Sequence, residues 1–439
     1  MFRIVAASRR YSGSLGRCGS GVDTLSAARG VPAAPAKAPR RCSGWQRRAR
    51  CSSSSGQHAV ASSACKHEGG VAMEWAGLQG WRATGIDDRR HWGKKGPEQQ
   101  AAELGSGGGV GDLPQSLAAC GLKVLQAADP KEKIALSHRA WAAYSHRQLP
   151  VGAVSMAAMP DRPSRPERPE LVHPKKIPNP KQSPLPLNVH MLHTLAHIEL
   201  NAIDLAWDTV ARFSSLGLPE AFYADFAHVA DDESRHLGWC LQRLEELGHA
   251  YGDMPAHDLL WEGAQMSSDD LSWRMCMVPM AQEARGLDAG PRLADKLCGF
   301  GDNRTSKIVT RIAEEEKAHV AVGVVWFNRV CSALERPAEE SFRDTMGRLC
   351  PDLLTGFFNH DARQEVGLPQ AWYDLSAWPA EQAEPVCKSA GLDPTDPRKR
   401  CEPSAPKMSP PMKLDSKELE MLSSRLLQVL DVEVAGSER

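Results

Sequence analysis

The sequence predicts an all-α protein built around a bundle of four long helices. Between residues 188 and 331, apolar side chains recur at alternating steps of three and four, which is the spacing of one face of an α-helix. This pattern occurs four times, and each time at least one Glu lies among the apolar positions. Residues 114–148 are also dominated by helix-forming residues. We therefore expect a helical core with charged groups at its centre.

Composition is typical of a globular protein. Hydrophobic residues make up 42% of the 439 residues and charged residues 24%, and no apolar run reaches the roughly eighteen residues of a membrane span. The formal net charge of −1 gives no overall field that would attract nucleic acid or an anionic membrane. The 12 cysteines are scattered without a C-x-x-C pair, which indicates a reducing compartment rather than a disulfide framework.

Residues 1–113 are predicted to be a transit-like, low-complexity segment that is mostly disordered. Residues 1–51 contain eleven Arg and Lys against one acidic residue, Asp23, among many Ser and Ala. This is the composition of a mitochondrial or plastid transit peptide. We therefore predict an organellar location, with a basic tail on a cytoplasmic protein as the alternative. The Ser- and Gly-rich stretches that follow offer too little apolar surface to offset the entropy of ordering.

The folded domain is predicted to span residues 114–378. It begins with two helices within residues 114–148, which separate at Asp129–Pro130 because a residue before proline disfavours the helical conformation. Residues 160–186 hold so many prolines that we expect an extended strap against the core, or else a proline-rich motif for a partner. The bundle core itself occupies residues 188–331.

Two segments follow this domain. Residues 379–413 are rich in proline and polar residues and are predicted to be a linker. Residues 414–435 are predicted to form a terminal amphipathic helix, in which Asp415 and Glu418 have the spacing of a capping box. This helix could recruit a partner protein.

Helical periodicity selects the charged side chains that face the core. In the segment RIAEEEKAHVAVG, residues 311–323, Glu316 and His319 fall on the apolar stripe. Glu314 and Glu315 fall off it and are expected to be solvated. The same construction on the other three helices adds one Glu, one Glu-x-x-His pair and one further Glu. The six inward-facing side chains are Glu199, Glu233, His236, Glu283, Glu316 and His319.

Four carboxylates on core faces need a compensating charge, because an isolated buried carboxylate costs several kcal/mol or becomes neutral. Glu and His three residues apart lie on one side of a helix and can reach the same cation. Glu199 precedes Glu233 by 34 residues, and Glu283 precedes Glu316 by 33. Two metal ions therefore fit, in the arrangement known for ferritin-like carboxylate proteins. The alternative is a polar core network whose members satisfy one another.

Two further Glu-x-x-His matches are interpreted as coincidental. Glu170 and His173 lie between prolines, where no helix can form. Glu246 and His249 straddle Gly248 at a helix end, away from the apolar seam.

Three side chains near the predicted ligands have two interpretations each. His193 and His197 would act as additional ligands or outer-sphere groups, or else as structural histidines on the helix surface or against the strap. Arg285 would form a structural ion pair, or else hold a substrate.

Four segments carry a family resemblance: HTLAHIELNAIDLAWD, FAHVADDESRHLGW, VPMAQEARGLDAGPRLADKL and RIAEEEKAHVAVGVVWF. They resemble the uncharacterised ferritin-like family called domain of unknown function 455, and the similarity covers roughly residues 114–378. The resemblance implies a ferritin-like four-helix bundle and places the metal ligands at the six positions above. It assigns no reaction and leaves both terminal extensions unexplained.

The donor set is hard and rich in oxygen, which suits iron or manganese better than a metal that prefers thiolates. We predict two iron ions, with manganese or a mixed manganese–iron pair as alternatives. By analogy with related bundles, Glu233 and Glu316 would bridge the ions. Glu199 and Glu283 would bind terminally.

The predicted function is that of a diiron oxidoreductase, which activates oxygen to oxidise a small-molecule or RNA-derived substrate. Its expected partners are this substrate, an electron donor and further copies of the same chain. The alternatives are iron handling without an organic substrate and an interaction module whose helices are held together by metal.

Overall fold

The structure, a computed structural model, describes residues 74–99 and 112–437. This part of the chain is predominantly helical, and the predicted all-α class is confirmed. The helices in chain order are α1 Leu78–Thr84, α2 Leu117–Gln126, α3 Pro130–Ser145, α4 Leu187–Arg212, α5 Glu220–Glu246, α6 Leu259–Met266, α7 Leu271–Met277, α8 Ala284–Gly299, α9 Asn303–Ala333, α10 Ala338–Leu349, α11 His360–Glu365, α12 Gln370–Tyr373, α13 Ala380–Ala390 and α14 Ser416–Ser437. Two antiparallel hairpins pair β1 His91–Trp92 with β2 Pro97–Glu98 and β3 Leu392–Asp393 with β4 Asp396–Arg400.

Four long stretches of helix surround the candidate site, and they are called the four helical lengths: α4, α5, α7 with α8, and α9. Helix α4 packs along α5 and α8 packs along α9, while α5 and α9 also contact each other. The third length is interrupted, because α7 continues through a π-helical turn, Val278–Glu283, into α8. Helices therefore occur over each of the four segments where periodicity predicts them. The finer assignment to a ferritin-like bundle stays a prediction.

Side-chain caps begin two of these helices. The Asp270 carboxylate accepts hydrogen bonds from the backbone N–H groups of Ser272 and Trp273 at the start of α7. The Asp302 carboxylate accepts one from Thr305 at the start of α9. Such caps satisfy donors that have no partner within the helix. Among the described helices, none is both long and apolar enough to serve as a transmembrane span.

The π-helical turn is the point where the third helical length meets α9. Pro279 is its second residue, and it has no backbone N–H with which to continue the α-helical ladder. A Cβ atom at position 323 of α9 would come within 2.4 Å of the Pro279 Cβ. Gly323, which lacks a side chain, thus allows α9 to approach the turn closely. The turn ends at Glu283, one of the six predicted ligands.

The two N-terminal helices of the domain meet at the predicted break. Asp129 precedes Pro130 and caps α3 by accepting a hydrogen bond from the backbone N–H of Lys131. Residues 160–186 contain little regular structure and lie against the core, where the Arg165 guanidinium donates to the Asn201 side chain of α4 at 2.8 Å.

Residues 74–99 are structured, which corrects the prediction of a mostly disordered segment up to residue 113. In the hairpin that follows α1, Trp92 is 3% exposed and packs edge-on against Trp239 of α5. A few large aromatic side chains supply enough apolar area to fold this segment, although most of its neighbours in the sequence are Ser, Gly and polar residues. The predicted transit segment, residues 1–51, lies outside the described residues.

The predicted linker of residues 379–413 is in part folded, which is a second correction. Helix α13 and the β3–β4 hairpin lie within it, and Val386 and Cys387 of α13 are buried. Pro385 lies inside α13. Proline content alone was therefore a poor guide to this segment.

Helix α14 lies where the terminal amphipathic helix is predicted. The Glu418 backbone N–H donates to the Asp415 carboxylate at 2.8 Å, and the Asp415 N–H donates to the Glu418 carboxylate at 2.9 Å. This reciprocal pair is the predicted capping box. Leu422 and Leu426 are buried, so one face of α14 packs on the domain.

Candidate metal centre

The structure brings all six predicted ligands together between the four helical lengths. Helix α4 supplies Glu199, the end of the π-helical turn supplies Glu283, and α5 and α9 each supply a Glu-x-x-His pair. Their ligand atoms form two groups, within each of which all atoms lie within 4.8 Å of one another. The first group is Glu199, Glu233, His236 and Glu316, and the second is Glu283, Glu316 and His319. The two groups share Glu316.

Two of the carboxylates face both histidines. Glu233 places one oxygen 3.4 Å from His236 Nδ1 and the other 2.8 Å from His319 Nδ1. Glu316 likewise places its oxygens 3.8 Å from His236 Nδ1 and 3.7 Å from His319 Nδ1. Glu199 approaches only His236, at 3.5 Å, and Glu283 belongs only to the group of His319. Glu233 and Glu316 thus lie between the two groups.

The chemistry of these donors fits a pair of cations. Five buried donor atoms at the centre have no hydrogen-bond partner in the described part of the chain: Glu199 Oε2, both oxygens of Glu233, His236 Nδ1 and His319 Nδ1. Burying a polar atom without a partner is costly, so such atoms call for a ligand. Glu233 Oε1 and His319 Nδ1 lie 2.8 Å apart as an ion pair, but neither atom has a hydrogen bond of good geometry. Ion pairing alone therefore leaves these donor atoms open to a cation.

Burial and mutual repulsion shift the pKa values of the carboxylates apart. Burial, followed by repulsion from Glu233, raises the pKa of Glu283 to about 8 and that of Glu199 well above its usual range. Burial also raises the pKa of Glu316. Glu233 shows the opposite sign: burial acts to raise its pKa, but the attraction of His319 and His236 outweighs burial and holds it low.

The histidines complete this balance. Burial acts to lower the pKa of His236 and of His319, yet the surrounding carboxylates outweigh it and raise both pKa values well above the usual range. In the absence of cations, the centre therefore retains protons on its imidazoles and on some carboxyl groups. Cations would displace these protons, because a ligating carboxylate or imidazole nitrogen must be deprotonated.

A further carboxylate contacts Nε2 of each histidine, the ring nitrogen that points away from the ligand groups. His236 Nε2 lies 2.8 Å from Glu315 Oε2, and His319 Nε2 lies 3.3 Å from Asp232 Oδ2. A carboxylate on the outer nitrogen commonly fixes the tautomer and orientation of a metal-binding histidine. The prediction that Glu315 is solvated is wrong, because its side chain is only 11% exposed. Helical periodicity did not predict this burial, because α5 covers a side chain that lies beside the apolar stripe of α9.

Arg235 connects the two outer carboxylates. One nitrogen of its guanidinium lies 2.7 Å from Asp232 and 2.8 Å from Glu315. The other terminal nitrogen lies 2.6 Å from Asp87, in the segment before the predicted domain. A single buried cation thus positions both carboxylates. Neither Arg235 nor Asp232 was singled out from the sequence, although both belong to the segment DDESRH around the Glu-x-x-His pair.

The remaining sequence candidates lie outside both ligand groups. His193 Nε2 accepts a hydrogen bond from the Gly252 backbone N–H at 2.8 Å. His197 lies 2.7 Å from the Tyr251 hydroxyl. Arg285 donates to backbone carbonyl groups and pairs with a neighbouring aspartate, which is the structural interpretation of this residue.

The two coincidental motifs also have other partners. Glu246 pairs with Arg304 at 2.6 Å, and His249 lies 3.3 Å from Asp253. His173 accepts a hydrogen bond from a backbone N–H at the start of a short 3₁₀ turn. Neither motif contributes to the two ligand groups.

Comparison with known proteins gives a family and no reaction. The profile of a family described as "Protein of unknown function (DUF455)" matches residues 126–374. A protein of Haemophilus influenzae described as "Uncharacterized protein" is 35% identical over 221 residues, which are 49% of this chain and 75% of that protein. No solved structure matches the chain. The matched range contains all six ligand candidates and both outer carboxylates, but not residues 74–99.

Proposed function

We propose that this chain, which belongs to the family of proteins of unknown function DUF455, is an oxidoreductase that activates dioxygen at two iron ions to oxidise an organic substrate. One observation carries the proposal. Five buried donor atoms converge between four helical lengths without a hydrogen-bond partner in the described chain. A protein core tolerates such a group when cations compensate it.

Charge and donor type favour two divalent ions of iron or manganese. Four carboxylates carry a formal charge of −4, which two divalent ions neutralise. Oxygen and imidazole donors suit these metals, and the six groups include no thiolate. Glu233 and Glu316 would contact both ions, since each presents one oxygen to either histidine. Glu199 and Glu283 would each hold one ion.

When bound, two ferrous ions would supply electrons for the reduction of dioxygen. The protein would contribute orientation and a low dielectric. Glu315 contacts Nε2 of His236 and Asp232 contacts Nε2 of His319, which orients the two imidazole rings. Arg235 pairs with both carboxylates and positions them. Burial of the donors keeps bulk water from the centre and strengthens their electrostatic interactions. The substrate class proposed is a small molecule or an RNA-derived group.

Metal analysis with Mössbauer spectroscopy tests the proposal on protein loaded anaerobically with ferrous iron. Wild-type protein should hold two iron ions per chain and form a spin-coupled ferric pair on exposure to oxygen. Glu316→Ala should lose more than about half of the bound metal, because Glu316 belongs to both groups. Glu314→Ala is the matched control, since Glu314 is exposed on the same helix and should leave iron content unchanged.

Three results would contradict the proposal. Equal metal content in the two variants would show that Glu316 is not a ligand. Stopped-flow absorbance without any oxidation transient in the iron-loaded wild type would remove the support for oxygen activation. Iron oxidation within a large hollow assembly, seen by gel filtration, would instead favour iron handling without an organic substrate.

A further inference from the structure

A tryptophan from outside the predicted domain connects the candidate metal centre to the protein surface. Trp81 of α1 is partly buried and partly exposed. Its indole Nε1–H donates to Asp232 Oδ2 at 2.8 Å. The same carboxylate oxygen lies 3.3 Å from His319 Nε2, and the opposite ring nitrogen of His319 faces the ligand group. Trp81, Asp232 and His319 thus form a continuous line of polar contacts from the surface to the centre.

The indole is also part of an aromatic stack. Trp81 lies nearly parallel to His228, with ring centroids 4.0 Å apart and an interplanar angle of 13°. His228 also stacks on Trp141, at 4.8 Å and 11°. The edge of Trp81 meets His319 at 6.3 Å between centroids. The stack holds the indole in a fixed position, with its edge toward His319.

A second indole near the centre differs in its electrostatic surroundings. The Trp239 ring lies 5.7 Å from the His236 ring, but the Arg235 guanidinium lies 5.4 Å from the centroid of Trp239. Its Nε1–H donates to the backbone carbonyl of Arg89 rather than to a carboxylate. A cation that is attracted to a neutral ring repels the same ring once it has lost an electron. A carboxylate at Nε1–H has the opposite effect, so Trp81 is the indole that gives up an electron more readily.

We propose that Trp81 is a one-electron relay between the metal centre and an external reductant. This inference rests on the proposed function, because it requires a redox-active ion at the centre. Residue 81 precedes the range 126–374 that the family profile matches. The relay residue therefore lies in a segment outside the matched range.

The relay conserves electrons and protons. With oxidised iron bound at the centre, Trp81 would supply one electron to reduce ferric to ferrous iron, and the indole would be left one electron short. While the indole is oxidised, the Asp232 carboxylate stabilises its Nε1–H through the existing hydrogen bond. An external one-electron reductant that reaches the partly exposed Trp81 would then restore the indole. The net change is one electron from the reductant to the metal.

Running the relay in reverse tests it without oxygen. Anaerobic ferrous protein, whose iron content is measured first, is mixed with a photosensitiser such as a ruthenium polypyridyl complex and an electron-accepting quencher. A light flash then produces a one-electron oxidant in solution. In wild-type protein we expect a transient indole radical, seen by absorption and electron paramagnetic resonance, which decays as ferric iron forms. Trp81→Phe should slow ferric formation by about tenfold or more, whereas the matched control Trp239→Phe should leave it unchanged.

Asp232→Asn provides a second variant that retains the indole. It removes the carboxylate that accepts the indole N–H, so the indole radical should form more slowly. Because Asp232 also orients His319, the rate of radical formation, and not that of ferric iron, is the readout for this variant. Both variants are compared with wild type at equal iron content and equal helical circular dichroism. Equal ferric formation rates in wild type and Trp81→Phe would overturn the relay, as would slowing in Trp239→Phe alone.

The two proposals fail in different ways. Iron that reacts with oxygen in the dark, with no effect of Trp81→Phe under illumination, would leave the proposed function intact and reject the relay. Iron that does not react with oxygen but is oxidised through Trp81 would reject the proposed function and leave the relay intact. A protein that binds no iron would reject both.

Discussion

Glu315 lies between the outer nitrogen of His236 and the guanidinium of Arg235, 2.8 Å from each. When His236 Nδ1 is a metal ligand, Nε2 carries the proton and its N–H donates a hydrogen bond to the Glu315 carboxylate. The charge of Glu315 then increases the basicity of the imidazole and fixes its orientation. Position on the helix stripe could not reveal this role, because His236 and Arg235 belong to another helix.

Glu315→Gln should therefore weaken metal binding without removing a ligand. We expect the dissociation constant for manganese or ferrous ion to rise by about ten- to a hundredfold, the usual effect of losing such an outer contact. Competition with a metal-binding dye measures this constant. Glu314→Gln is the matched control, since the adjacent side chain is exposed. Equal dissociation constants in the two variants would show that Glu315 has no influence on the metal.

The close approach of α9 to the π-helical turn depends on Gly323, which lies against Pro279. Glu283 is the last residue of this turn, so its position depends on how closely the turn packs against α9. A side chain at position 323 would force α9 and the turn apart, because the atoms that it would meet first, Cβ and Cγ of Pro279, belong to a rigid ring.

Gly323→Ala should lower the free energy of unfolding by about 1–3 kcal/mol, the range observed when extra atoms are forced into a packed core. It should also weaken metal binding, because Glu283 would shift away from its group. Gly238→Ala on α5 is the control: no heavy atom lies within 4 Å of a Cβ built there. Alanine at this helical position should raise stability by about 0.5–1 kcal/mol. Urea denaturation measures both changes, and a neutral Gly323→Ala would refute the close contact.

The centre makes the stability of the metal-free domain depend on pH, and it makes the stabilisation produced by metal depend on pH with the opposite sign. Glu283 has a pKa of about 8 in the fold, chiefly through burial, against 4.5 for the ordinary group. Between these values the metal-free fold binds more protons than the unfolded chain, so its stability falls as pH rises. The raised pKa values of His236 and His319 act in the same direction. The low pKa of Glu233 acts oppositely, but its contribution is complete above the ordinary glutamate value.

The contribution of the centre to the free energy of unfolding of chelator-treated protein should therefore decrease between about pH 5 and about pH 8, while buried histidines elsewhere, such as His193 and His197, whose pKa values burial lowers, act in the opposite direction below about pH 6.5. Bound metal replaces the protons, so the stabilisation produced by manganese should increase over the same interval. Thermal denaturation with and without manganese, at both ends of this interval, gives the difference directly. A metal-induced shift in melting temperature that is independent of pH would contradict the assigned proton-binding groups.

Sequence periodicity located the four helical segments and the six residues that the structure brings together. It could do so because the direction of a side chain on a helix depends on its position within 3.6 residues per turn, which is local information. The same method misjudged Glu315 and passed over Asp232 and Trp81. Composition misassigned residues 74–99, whose few tryptophans outweigh their surroundings in buried area.

The sequence by itself determined the helical class and the set of candidate ligands, since both follow from local repeats. The tertiary structure alone decided what surrounds those ligands. Trp81 meets Asp232 across 151 residues, and His236 meets Glu315 across 79. Contacts at such separations depend on how entire helices pack against each other, and no short-range pattern encodes that packing. The candidate ligands can thus be recognised from the sequence. The residues that orient them and connect them to the surface can be identified only in the folded structure.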